Sequence, residues 1–328
     1  MRNYSQNINL QITSKSKPNH AKIFILIIVF ITISMYLFLK QLWKSGDSIT
    51  QSTAGETAIT TSVSQAITSK TPILTLAKSD MPVLVDKLEG IISGKTGTYS
   101  IYYYDIKSGI STGINEKMVI TAASVNKIPI LAALYYLAGN NTLDLEKIIV
   151  PQPSDIQNYG TGSIRYDPTG TPYSIKTLAR LMIEKSDNTA AYLLGTHIVG
   201  LKKIQNLIND WGLTQTDMYK NSSSVYDQSI ILIKMYQKEI TTPSLTAEML
   251  GFMDKTDFDD RLPKGVPEGI TIYHKTGDEV GKVHDVGIID LPQRPYYLGV
   301  FTTDITDIED AKKNIALISS AVYDFVSR

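Results

Sequence analysis

Residues 269–303 read GITIYHKTGDEVGKVHDVGIIDLPQRPYYLGVFTT. β-Branched and aromatic residues gather there in three runs, 269–275, 282–290 and 296–303, parted by Gly/Asp and Pro-containing turns. The pattern predicts three strands with short connections. Upstream, YSIYYYD over 99–105 and the run 110–114 predict two more, joined by a turn at Lys107-Ser108-Gly109. Between the two groups helical patterns take over, at 124–138, 174–194, 201–211, 229–238 and 244–252. A helical stretch at 81–92 precedes the strands, and 308–326 closes the chain as a last helix. The order predicts an α+β fold. It is one antiparallel five-stranded sheet flanked by helices, with a helical lobe inserted between the strand groups. The strand–helix alternation of a doubly wound fold is missing.

The chain's 32 basic and 32 acidic residues cancel, so no basic excess points to nucleic acid as a partner. Cys is absent, which excludes disulfides, zinc–thiolate sites, iron–sulfur clusters and a cysteine nucleophile. With four His, a metal site built on imidazoles is not expected, and no metal or organic cofactor is implied. The ends differ from the middle. Residues 1–22 carry Arg2, Lys15, Lys17 and Lys22 and no acid. Next comes IFILIIVFITISMYLFL at 23–39, 17 residues without a charge. As a helix it would span about 25 Å. A cleaved signal peptide is the rival reading, but Lys40, Gln41 and Trp43 stand where small residues would be wanted. The expectation is a basic cytoplasmic tail (1–22) and an uncleaved transmembrane anchor (23–43) that makes the membrane a partner. The positive flank would keep the tail inside and the C-terminal part extracytoplasmic. Twelve Ser or Thr in 45–69 predict a flexible linker over 44–77. The folded domain is expected at 78–328, as a monomer.

Three clusters stand out for chemistry. In Thr121-Ala122-Ala123-Ser124-Val125-Asn126-Lys127, a helix opening at Ser124 puts Lys127 one turn away on the same face. A buried lysine loses its charge easily and could take a proton from the serine. An ordinary helix cap explains Ser124 equally well. In Glu184-Lys185-Ser186-Asp187-Asn188-Thr189, an unbroken polar run interrupts an apolar helix. Its residues lower helix propensity, so it marks a break, a cleft-facing site or plain surface. In His274-Lys275-Thr276-Gly277, a lysine ending a strand, followed by a hydroxyl and a glycine, suits a carboxylate. A strand running into a turn fits it too.

Ser-x-x-Lys, Ser-Asp-Asn and Lys-Thr-Gly in this order resemble the signature of class A β-lactamases and penicillin-binding proteins. The resemblance covers 83–328, and 173–194 and 284–289 are similar to the class A branch. It implies Ser124 as the acylated nucleophile, Lys127 as its proton acceptor and Ser186 as a proton relay to the leaving nitrogen. It implies Asn188 as a contact for the substrate amide and for Lys127, and Lys275 and Thr276, with Gly277, as the carboxylate site. The backbone of Ser124 and Asp278 would form the oxyanion hole. Tyr159, before Gly160-Thr161-Gly162-Ser163, is expected to contact substrate from the inserted lobe.

Two departures follow. The family's deacylating glutamate has no counterpart in LTQTDMYKNSSSVY at 213–226, where Asp217 is the one acid. Asp227, just beyond, most simply caps the next helix. Asp278 stands where the family usually has a small or hydroxyl residue, and it would repel an anionic substrate or pair with Lys275. The implied activity is a serine β-lactamase that opens β-lactams through an acyl-serine ester, a role in antibiotic resistance. The alternatives are a D-alanyl-D-alanine carboxypeptidase or related peptidase acting on peptidoglycan stem peptides, and a non-catalytic wall-binding module.

Overall fold

A computed structural model describes residues 77–328. The sheet has five antiparallel strands: β1 (Thr98–Asp105), β2 (Ser111–Ile114), β3 (Ile272–Glu279), β4 (Lys282–Ile289) and β5 (Tyr296–Thr303). Their spatial order is β2-β1-β5-β4-β3, so the N- and C-terminal strand groups meet where β1 pairs with β5. The fold is therefore the expected α+β arrangement. Alternation along each strand sends side chains to two cores. Tyr99, Ile101 and Tyr103 of β1 and Tyr296, Leu298 and Val300 of β5 face one side. There they meet Leu84 and Leu88 of α1 (Met81–Ile92) and Ile315, Ile318 and Val322 of α8 (Ile308–Val326). Tyr102, Tyr297 and Phe301 face the other side and pack into the helical lobe. The tyrosines of YSIYYYD are thus divided between the two cores by strand period.

The lobe contains α2 (Lys127–Gly139), α3 (Ile175–Glu184), α4 (Asn188–Tyr192), α5 (Leu201–Asp210), α6 (Val225–Tyr236) and α7 (Pro243–Met253). α2 is apolar all round, as befits a helix enclosed by others. Ile128, Leu131, Leu134 and Tyr135 are fully buried. Its first residue, Lys127, is therefore fixed at the end of a rigid, packed rod.

The structure corrects several expectations. The helix expected over 174–194 is two helices. It breaks at Lys185–Asp187, where Ser186 takes a left-handed φ of 51°, and ends in a π-helical turn over Leu193–Ile198. Lys275 does not end a strand. Pairing continues through Asp278↔Val283 and Glu279↔Lys282, so Lys-Thr-Gly lies inside β3. Asp227 is not the cap of α6, because Ser224 accepts from the Asp227 backbone N–H. The Asp227 carboxylate instead accepts from the Gln215 N–H (2.7 Å) and Thr216 Oγ1 (2.8 Å), tying down the loop before the helix.

The membrane anchor is also corrected. Among the described residues no helix is long and apolar enough to cross a membrane. The longest, α8, carries Glu309, Asp310, Lys312, Lys313 and Asp324, the pattern of a helix with one wet face. The segment 23–43, on which the expectation fell, lies outside the described residues, as do the tail at 1–22 and all but the end of the linker at 44–77. The membrane as partner and the single-pass, extracytoplasmic localisation rested on that segment and are withdrawn with it.

Candidate active site

Three elements converge at one end of the sheet. A short 3-10 turn (Ala123–Asn126) carries Ser124 and runs into α2. Ala123 has φ 50°, outside the range a β-carbon prefers, so the turn is a strained elbow. The turn packs against β3 at Gly277. A Cβ built on Gly277 would lie 2.8 Å from the Ala122 carbonyl oxygen and 3.2 Å from the Ser124 nitrogen. Glycine there is a condition for bringing the strand beside the serine.

Lys127 is the hub. Its Nζ is 3.0 Å from Ser124 Oγ, 3.1 Å from Ser186 Oγ, 2.7 Å from Asn188 Oδ1 and 2.6 Å from the Ser186 carbonyl oxygen. Burial, with Lys275 nearby, pushes its ammonium well below the usual lysine range. Lys275 Nζ reaches the other side of Ser186, 3.1 Å from its Oγ. It is fully buried, and burial brings it down to about 7 against the opposing pull of Asp285 and Asp278. One serine hydroxyl therefore sits between two lysines that readily give up their protons.

The bend that presents Ser186 is held from behind. Asp187 caps α4, accepting from the Ala190 N–H (2.9 Å). The same carboxylate accepts from the N–H groups of Ser163 (2.6 Å) and Ile164 (2.9 Å). Thr161 Oγ1 donates to the Ser186 carbonyl (2.8 Å), and Asn188 Nδ2 donates to the Tyr159 carbonyl (3.0 Å). The loop that bears Tyr159 is thereby stitched to the Ser-Asp-Asn bend.

These residues line a cleft of about 530 Å³. Ser124, Lys127, Tyr159, Ser186, Asn188, Thr276 and Asp278 are on its wall. Lys275 reaches Ser186 from beneath, and Gly277 sits behind Ser124. The Tyr159 ring is largely exposed. Ile130, Leu201, Met218 and Phe258 add an apolar surface, and the Phe258 ring centroid is 5.7 Å from Lys275 Nζ.

Asp217 is elsewhere. It accepts from the N–H groups of Tyr219 (2.9 Å) and Lys220 (3.0 Å) and pairs with the Lys220 side chain, in a turn outside the cleft lining. Those N–H groups and Lys220 hold its carboxyl below the usual range. The part of 213–226 that does reach the cleft contributes Met218 and Asn221. Asn126 Nδ2 donates to Asn221 Oδ1 (3.0 Å), and Gln228 Nε2 donates to Asn126 Oδ1 (3.3 Å), so amides occupy the region beside Ser124. The two carboxylates of the lining are Asp278 and Glu279, both on β3. Asp278 does not pair with Lys275. Both of its oxygens are 2.7 Å from Arg261 Nη2.

Sequence reasoning passed over four residues. Asp187 stood inside a quoted motif without a role. Thr161 stood in a glycine stretch read only as a loop. Asn221 carried no signal beyond the lack of an acid there. Arg261, in FDDRLPKG, drew no reading and is 1% exposed.

Comparisons with known proteins agree with this geometry. The profile of the beta-lactamase enzyme family matches residues 83–326. The extended-spectrum beta-lactamase PER-1 of Pseudomonas aeruginosa is 25% identical over 262 residues, covering 73% of this chain and 84% of that protein. Beta-lactamase 3 of Bacillus cereus is 25% identical over 252 residues, covering 72% and 77%. Among solved structures, PBP-A superposes with a TM-score of 0.69 at 28% identity, covering 74% of this chain and 95% of that one. An acyl-enzyme complex of a PBP-A mutant with penicillin G gives a TM-score of 0.70 at 27% identity, covering 75% and 96%.

Proposed function

The chain belongs to the beta-lactamase enzyme family, and from that premise we propose that it is a serine hydrolase of the β-lactamase and penicillin-binding type, in which a β-lactam amide acylates Ser124 and release of the ester is the slow step. The observation that carries this reading is the position of Lys127 Nζ, within 3.1 Å of the hydroxyls of both Ser124 and Ser186.

Neutral Lys127 takes the Ser124 proton as Oγ adds to the carbonyl carbon. The oxyanion forms beside the Ser124 backbone nitrogen, where Gly277 lets β3 approach, and the Asp278 N–H is the expected second donor. The tetrahedral adduct collapses and the C–N bond breaks. Ser186 passes a proton to the leaving nitrogen and recovers one from the ammonium of Lys127 or Lys275, both hydrogen-bonded to it. The acyl group stays on Ser124 as an ester. Water must then add to that ester to return the free serine and the acid. Asn188 supports the acyl side chain, Lys275 and Thr276 a neighbouring carboxylate, and Tyr159 the open rim.

The side of the cleft where a water-activating carboxylate would be wanted presents Asn126 and Asn221. That favours a second reading of the natural substrate, a D-alanyl-D-alanine stem peptide with β-lactams as trapping mimics. The test is intact protein mass followed together with loss of a penicillin. Many molecules consumed per chain support a β-lactamase, a persistent adduct supports the peptidase, and no adduct rejects the acyl-serine mechanism.

A further inference from the structure

Asp278 follows Lys-Thr-Gly and lines the cleft beside Ser124 and Thr276. Its side chain is half exposed, with both oxygens on Arg261 Nη2 at 2.7 Å. Arg261 has no freedom to turn away. It is buried, its Nη1 donates to the His284 carbonyl (2.7 Å), and its Nε lies 3.3 Å from Asp260. A buried guanidinium needs a counter-charge, so the Asp278 carboxylate is held at the cleft edge. Glu279 lines the same end. An anion arriving at Lys275 and Thr276 therefore meets a fixed carboxylate, and Arg261 Nη2 is already taken by that carboxylate.

We propose that Asp278 is a specificity-determining residue: with Arg261 it fills the carboxylate-recognising end of the cleft, so that the site selects acyl donors whose group there is neutral or cationic over those bearing a free carboxylate. A peptide with an amidated or otherwise masked terminus has that chemistry. Removing the charge does two things at once. It ends the repulsion between like charges at the cleft edge, and it loosens the hold on Arg261 Nη2, the nitrogen that both Asp278 oxygens occupy.

The inference rests on the acyl-serine reading, and the test separates the two. Full-length wild-type, Asp278→Asn and Asp278→Ser chains are reacted with benzylpenicillin and with its neutral methyl ester, and the second-order rate of adduct formation is read by intact mass. In both variants the ratio of the acid rate to the ester rate is expected to rise about tenfold or more, whatever the change common to both compounds. The wild-type disadvantage of the acid should narrow as salt is raised. An acid-to-ester ratio that is unchanged or lower in the variants overturns the specificity role and leaves the acyl-serine reading standing. No adduct from either compound in any chain overturns the acyl-serine reading, and the inference falls with it. Melting curves identify a variant lost to misfolding. Asp278→Asn keeps an acceptor for Arg261 and carries the comparison if the serine variant is lost.

Discussion

The two walls of the cleft beside Ser124 are built differently. On the wall formed by the Ser-Asp-Asn bend and β3, two buried lysines share one serine hydroxyl, and Asp187 and Thr161 lock the bend from behind. On the wall formed by 213–226, amides hydrogen-bond to amides, and the loop's acid, Asp217, is turned into a local turn. Proton traffic is provided for on the first wall and not on the second. On the proposed mechanism, the contrast means that forming an acyl-serine and hydrolysing it would be separable functions of one cleft, each with its own residues.

Substitutions on each wall test that contrast. Ser124→Ala should abolish penicillin labelling while the melting temperature stays close to wild type; surviving label would remove the nucleophile. Lys127→Ala should slow adduct formation by about 10²–10⁴-fold, since a positioned base contributes on that order. A loss under tenfold, measured by stopped-flow labelling, would show that another group takes the proton. Asn221→Asp places a carboxylate 3.0 Å from Asn126 at a left-handed position that aspartate tolerates. It should speed ester release by about tenfold with little change in acylation, read by the decay of adduct mass.

The pH profile sharpens the same contrast. Burial brings Lys275 down to about 7. The apparent second-order acylation rate with a carboxylate-bearing penicillin should fall as pH rises through that value, because the ammonium that receives the carboxylate is lost. Ester release should lack that limb. The sign for folding is separate. The folded chain sheds this proton near 7 and the unfolded one near 10.5, so the Lys275 contribution to stability rises with pH across that window. The smallest effect is expected from Asp217→Ala, which should leave both steps within about twofold of wild type. A large fall in release would make Asp217 the missing base.

The sheet was largely legible because each strand is a β-branched and aromatic run closed by Gly or Pro, and 296–303 and 308–326 coincide with β5 and α8. The three motifs were legible as types and order, but their convergence was not readable from spacing alone. Ser186 looked like a polar residue within a helix, and its left-handed φ depends on the contacts with Thr161 and with the loop that Asp187 holds. Thr-Gly-Asp-Glu resembles a turn, yet its backbone continues the ladder because β4 is long enough to pair with it. Asp227 resembled a helix cap, but Ser224 stood one turn ahead and the carboxylate was drawn to Gln215 and Thr216. Burial of Arg261 is a tertiary fact: residues 17 and 23 positions away provide its Asp278 and His284 partners.

The most direct test is a time course of intact mass for the full chain mixed with benzylpenicillin, with peptide mapping of the adduct and parallel measurement of drug loss. The account predicts one ligand mass added at Ser124, cleared slowly, and accompanied by little drug consumption. Rapid clearance with many drug molecules consumed would contradict the division between the two walls. No adduct at Ser124 would contradict the acyl-serine mechanism.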